Sequence, residues 1–208
     1  MPFPRFEKLA PAKRVRLLEA SAREFAAFGY AGASINRILE HAQMSKGAAY
    51  YYFADKADLF AATVKYCSER LGLIDEALDP TTLTAATFWP TFAALHLAPL
   101  LNSFDRPWLF GALKAAGRLD PADIQTGLLA EFAARLRGYV MGMIHQGQAL
   151  GVIRADLPDE LLFGWLQALD RAGDDWLLTQ WQQLTPESLA RYSDITVEAM
   201  RRAVAPDT

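Results

Sequence analysis

Residues 34–56 read SINRILEHAQMSKGAAYYYFADK. Ile35, Ile38, Leu39 and Ala42 recur at spacings of three and four, which is one face of a short helix. Ser34 precedes them and is a good N-cap. Its hydroxyl accepts one of the unpaired first-turn N–H groups, worth about 1 kcal/mol over Ala. Ala42-Gln43-Met44 makes a tight turn. A second short helix runs from Ser45, which can cap it, to Phe53. Two short helices joined in this way form a helix-turn-helix, and the second can enter a DNA major groove about 12 Å wide.

The second helix has a surface suited to that task. Lys46 sits in its first turn. Gly47, Ala48 and Ala49 are small, so the backbone can approach base edges. Tyr50, Tyr51 and Tyr52 follow in a row and point in three directions, so at least one ring faces outward. There a phenol can bond a phosphate or pack on a thymine methyl. Lys56 opens the next helix. The competing reading of these residues is a solvated tyrosine cluster on an ordinary three-helix unit.

Charge follows the same division. Residues 1–70 hold 11 Lys and Arg against 7 Asp and Glu, whereas residues 71–208 hold 10 against 17. A basic first third on an acidic body suits a partner that is a polyanion. The chain has 208 residues, enough for one or two domains. Its single cysteine, Cys67, excludes an internal disulfide and any Cys-paired zinc site. The N-terminus MPFPRFEKLAPAKR lacks a secretory apolar core, so a cytoplasmic location is expected. Pro80–Phe104 has no charged residue but is broken by Pro80, Pro90, Pro99 and five threonines. It reads as a buried helix of about 82–102, bent at Pro90, and not as a membrane span.

Helical periodicity continues along the chain, with no alternating strand pattern. Val15, Leu18, Ala22 and Phe25 share a face that stops at Gly29. Phe60, Val64, Cys67, Leu71, Ile74 and Leu78 make a five-turn stripe. Asp105-Arg-Pro107, Asp120-Pro121, Leu157-Pro158 and Thr185-Pro186 mark helix starts, because proline fits a first turn. They imply helices near 106–116, 121–150, 158–184 and 186–204. The fold class is all-α, with about nine helices.

The window resembles the TetR family of transcriptional regulators. The family pattern is roughly Thr-x-x-x-Ile-Ala-x-x-Ala-Gly-Val-Ser-x-Gly-Thr-Leu-Tyr-x-Tyr-Phe-x-x-Lys-x-x-Leu. Ser34, Ile38, Ala42, Met44, Ser45, Gly47, Tyr50, Tyr52, Phe53, Lys56 and Leu59 fall in its register, and Phe25-Ala-Ala-Phe28-Gly29-Tyr30 fits the helix before it. The resemblance implies an N-terminal helix-turn-helix domain over residues 1–55. A helical ligand-binding and dimerisation domain would fill residues 56–208. It implies that Ser34, Asn36, Arg37 and Ser45 lie at the DNA-facing end. Lys46, Gly47 and Ala48 would be nearest the bases, and Tyr50, Tyr51 and Lys56 would grip the backbone. Ile38, Met44, Ala49 and Phe53 would pack inside. Three positions depart from the pattern. Gln43 stands where a turn glycine is usual, Leu39 replaces an alanine, and Ala48-Ala49 replace Thr-Leu.

The same resemblance implies a repressor that binds a palindromic operator as a homodimer and is released by a small hydrophobic or aromatic effector. The later helices are rich in aromatic residues, and pockets combine apolar walls with a few polar groups. Phe88, Trp89, Phe92, His96, Trp108, Met141, His145 and Trp165 are therefore candidate ligand contacts. Leu162, Leu166, Leu169, Trp176, Tyr192 and Ile195 on the last two helices are candidate dimer contacts. No cofactor or metal is expected. An enzyme is disfavoured, because three histidines and one cysteine accompany no G-x-S-x-G, H-E-x-x-H or phosphate loop. The alternative is a helical small-molecule-binding or adaptor protein that does not bind DNA, which the loss of Thr-Leu at Ala48-Ala49 keeps open.

Overall fold

The computed structural model describes residues 3–45, 47–74, 78–119 and 127–206, with backbone only at Ala48 and Ala49. Among them are ten α-helices, two short 3-10 turns and no strand. All nine expected helices are present. The addition is α1 (Pro4–Glu7), a single turn too short to show periodicity. The start at Asp120-Pro121 lies outside the described residues.

The chain folds into two compact units, Met1–Leu71 with Asp105–Ala134 and Gly72–Phe104 with Arg135–Thr208. The first contains α1, α2 (Pro11–Gly32), α3 (Ile35–His41), α4 (Ala48–Tyr52), α5 (Lys56–Leu71) and, after the intervening α6 of the second unit (Ala85–Asn102), α7 (Pro107–Gly117). Leu17, Phe25, Ile38, Leu39, Phe53, Leu59, Phe60 and Val64 are buried and form its core. The Phe25 and Phe60 rings lie 4.5 Å apart. Cys67 is fully buried on α5, and burial pushes its thiol up to about 12, so it is a packing residue. Its helix is shorter than the five-turn stripe implied. Gly72 has φ +64 and ends α5 seven residues before Leu78.

Gly29 stops regular α2 where expected, although the helix resumes to Gly32. Its φ of 64 and ψ of −179 belong to a region that only glycine occupies without strain. The kink turns the chain toward Ser34.

The second unit is built from α6 (Ala85–Asn102), most of α8 (Gly127–Ala149), α9 (Asp159–Gln180) and α10 (Pro186–Ala203). Thr84 and Thr185 each close a reciprocal capping box, at α6 and α10. Phe88, Met143, Ile144, Ile153, Leu162, Leu166, Met200 and Val204 form the core. A Cβ at Gly147 would come within 2.6 Å of Ile153, so close packing explains a glycine in the last turn of α8. No described helix is long and apolar enough to cross a membrane.

Candidate nucleic-acid interface

Helix α3 begins at Ser34, whose hydroxyl accepts the Arg37 N–H at 3.5 Å. It ends in a paired closure. The Gln43 N–H donates to Glu40 at 3.0 Å and the Met44 N–H donates to Leu39 at 2.9 Å. This closure needs a left-handed residue after the cap. Gln43 supplies it with φ 55, in the place where the family pattern has glycine. An L-residue pays about 1–2 kcal/mol for that conformation.

The angle between α2 and α3 is fixed by a group that the sequence pattern did not single out. Glu24 on α2 is 3% exposed. Its Oε1 accepts the Ser34 N–H at 2.8 Å and the Arg37 Nε–H at 2.8 Å. Arg37 also donates to the Gly32 carbonyl at 3.0 Å and rests on the Phe28 ring. Burial pushes the Glu24 carboxyl up, but the Arg37 and Ser34 bonds outweigh it and hold it below the usual range. The available signal was spacing: Leu17, Ser21 and Glu24 share a buried face, and a carboxylate there requires a partner.

Helix α4 starts at Ala48, later than Ser45. Lys46 and the side chain of Ala48 lie outside what is described, as does the side chain of Ala49. Tyr50 is 68% exposed and Tyr51 54%, whereas Phe53 is 2% exposed. Tyr52 is half-buried. The row of three tyrosines therefore divides, with two rings facing outward and the third turned toward the core. Ser45, Gly47 and Asn36 are exposed. Lys56 is half-buried and donates from Nζ to the Ala31 carbonyl at 3.0 Å, near the end of α2. Ile38 packs inside as the resemblance implies, and Met44 is half-buried.

The candidate ligand contacts separate. Phe88, Trp89, Phe92 and Met141 gather around the core of the second unit, and the Trp89 ring lies 5.2 Å from Phe88 and 5.4 Å from Phe92. Beside Trp89 is a groove of about 340 Å³ lined by Ala85, Val152, Arg201, Arg202 and Pro206. His96 Nδ1 is 2.7 Å from Ser193 Oγ, and its Nε2 is 3.6 Å from Asp170. Although those three residue types can form a catalytic set, Ser193 is 1% exposed, beyond reach of a reacting carbonyl. His145 is exposed and pairs with Asp159 at 3.0 Å. Trp165 is exposed on α9. Trp108 belongs to the first unit, stacked under Arg23 at 3.3 Å.

The candidate dimer contacts also separate. Leu162 and Leu166 are core residues of their own unit, with Leu169 packed against them. Trp176 and Ile195 are 51% and 60% exposed. The exposed apolar face of α9 lies one position away from the leucine stripe, at Leu161, Trp165, Ala168, Ala172 and Trp176. Tyr192 of α10 stacks on Trp176 at 5.3 Å and extends that face.

A capped helix, a left-handed turn and a short helix with exposed tyrosines define a helix-turn-helix DNA-binding protein. Residues 17–63 match the model of the bacterial regulatory proteins of the tetR family. The chain is 37% identical over 167 residues to the HTH-type transcriptional repressor AcnR of Corynebacterium diphtheriae, covering 76% of each chain. It is 28% identical over 201 residues to the HTH-type transcriptional repressor Rv1474c of Mycobacterium tuberculosis, covering 92% of this chain and 95% of that one. A crystal structure of a TetR family transcriptional regulator from Chloroflexus aurantiacus superposes with a TM-score of 0.61 at 26% identity, covering 98% of this chain and 93% of that one. The chain belongs to the TetR family, and it is a helix-turn-helix transcriptional repressor.

Proposed function

We propose that this repressor binds a palindromic operator as a homodimer in the cytoplasm and is released by a small hydrophobic or aromatic effector. Residues 1–55, with Lys56 at their boundary, read DNA, while residues 56–208 dimerise and hold the effector. The observation that carries the reading is the exposure of Tyr50 and Tyr51 on the second helix of the helix-turn-helix. Two large rings left in water cost apolar burial unless a partner covers them. Ser34, Asn36, Ser45, Lys46, Gly47 and Ala48 complete the surface, with Tyr50, Tyr51 and Lys56 on phosphates. Arg37 has a second task, since its guanidinium holds Glu24.

The dimer face is the exposed apolar stripe of α9 with Ile195 and Tyr192 of α10. Twofold pairing of a self-complementary patch buries it on both copies. The two reading helices must then match operator half-sites set by their spacing. The effector enters beside Trp89, where an aromatic wall meets the groove described above. An effector that binds the non-reading conformation more tightly draws the population away from DNA.

A gel shift with purified protein, on DNA upstream of its own gene and of neighbouring genes at about 100 mM salt, tests the reading. Sequence-specific retardation that competitor DNA does not remove is the expected result. Purely non-specific binding on every fragment contradicts it.

A further inference from the structure

We infer that Arg5, on the one-turn helix α1, is a further DNA-contacting residue, its guanidinium set against α4 to take a backbone phosphate. The inference rests on the DNA-reading role proposed for α4. A four-residue helix has no stability of its own, so α1 is held by what it packs on. Phe6 is 3% exposed, with its ring 4.8 Å from Phe53 and 6.1 Å from Tyr52. The Phe3 N–H donates to the Tyr52 carbonyl at 2.8 Å. That carbonyl is in the last turn of α4, where helix acceptors lack a partner. The strap therefore finishes the end of the reading helix.

Arg5 projects from this strap. It is exposed, and its guanidinium carbon lies 4.3 Å from the Tyr51 ring centroid and 4.5 Å from that of Phe3. Among the described residues no carboxylate or carbonyl takes its N–H groups. Several other basic residues of the same unit differ in this. Arg37 is engaged by Glu24 and Gly32, Lys56 by Ala31, and Arg14 by Glu7 at 2.6 Å. A guanidinium resting on aromatic rings keeps its plane and leaves its N–H edges open. An open planar fork beside exposed tyrosines matches a phosphodiester oxygen pair. The sequence gives little warning of this, because MPFPRFEK has no helical period and its role appears only once Phe6 is seated.

The probe is a duplex enriched from a random pool by the wild-type protein. Affinity is measured by anisotropy between about 50 and 200 mM salt, where each lost phosphate contact flattens the log–log slope by about 0.9. Arg5→Ala is expected to bind about tenfold more weakly at the middle of that range, with a flatter slope and an unchanged melting temperature. Arg5→Lys is expected to recover the slope and part of the affinity, since it keeps the charge and loses the fork. Wild-type affinity and slope in Arg5→Ala overturn the inference. So does lost affinity at an unchanged slope, which makes Arg5 only a prop for Tyr51. Failure of the wild-type protein to enrich any sequence overturns the reading of α4 itself, and the inference with it.

Discussion

Glu24 on α2 receives the Ser34 amide and the Arg37 guanidinium at one buried oxygen, and both donors belong to the reading head. Replacing Arg37 by Ala leaves that carboxylate buried with a single amide. Removing one partner of a buried pair costs several kcal/mol, less where the other partner is half in water. Arg37→Ala is therefore expected to lose about 2 kcal/mol at pH 7 in urea unfolding. Glu24 titrates below its usual value in the folded protein, so its contribution is present above the ordinary carboxylate range and fades as pH falls through the folded value. The gap between wild type and variant should narrow below about pH 4. A gap that does not change with pH contradicts this assignment. Gln43 gives a second check at this scale. With φ 55 it is held in a conformation that glycine adopts freely. Gln43→Gly is expected to gain up to about 1 kcal/mol, read as a higher denaturation midpoint.

At the scale of the element, the bend of α2 into α3 depends on Gly29. A Cβ there would meet nothing within 4 Å, so its conformation alone sets the requirement. Gly29→Ala is expected to cost about 1–3 kcal/mol by thermal unfolding, and a neutral result contradicts it. Helix starts were legible in the sequence because they are local. Thr185-Pro186 caps α10 as expected, and Pro107 opens α7 one residue after Arg106. The left-handed turn was also legible, since it was the missing glycine that exposed Gln43. What was not legible depends on partners distant in sequence. α1 exists only because Phe6 reaches Phe53, and Glu24 is satisfied only because α3 folds back on it. The leucine stripe Leu162, Leu166, Leu169 reads alike whether it faces its own core or a second copy. Burial assigns it to the core and leaves the neighbouring face, with Trp165 and Trp176, in water.

For the whole molecule, that exposed face predicts assembly. Leu161, Trp165, Trp176 and Ile195 are large apolar residues left exposed on two adjacent helices. A stable twofold interface needs roughly 800 Å² from each partner. The wild type is expected to sediment as a dimer and a Trp176→Asp, Ile195→Asp variant as a folded monomer. An unchanged dimer mass would place the interface elsewhere. Because each phosphate contact is made twice in a dimer, the same variant is also expected to lose operator binding without a change in its reading heads.

The most direct test is the affinity of Tyr50→Ala, Tyr51→Ala protein for the duplex that the wild type enriches. Both rings are exposed, so the fold does not rest on them. Binding is expected to weaken by about a hundredfold or more at fixed salt, with melting temperature and dimer mass unchanged. Wild-type affinity in that double variant would contradict it.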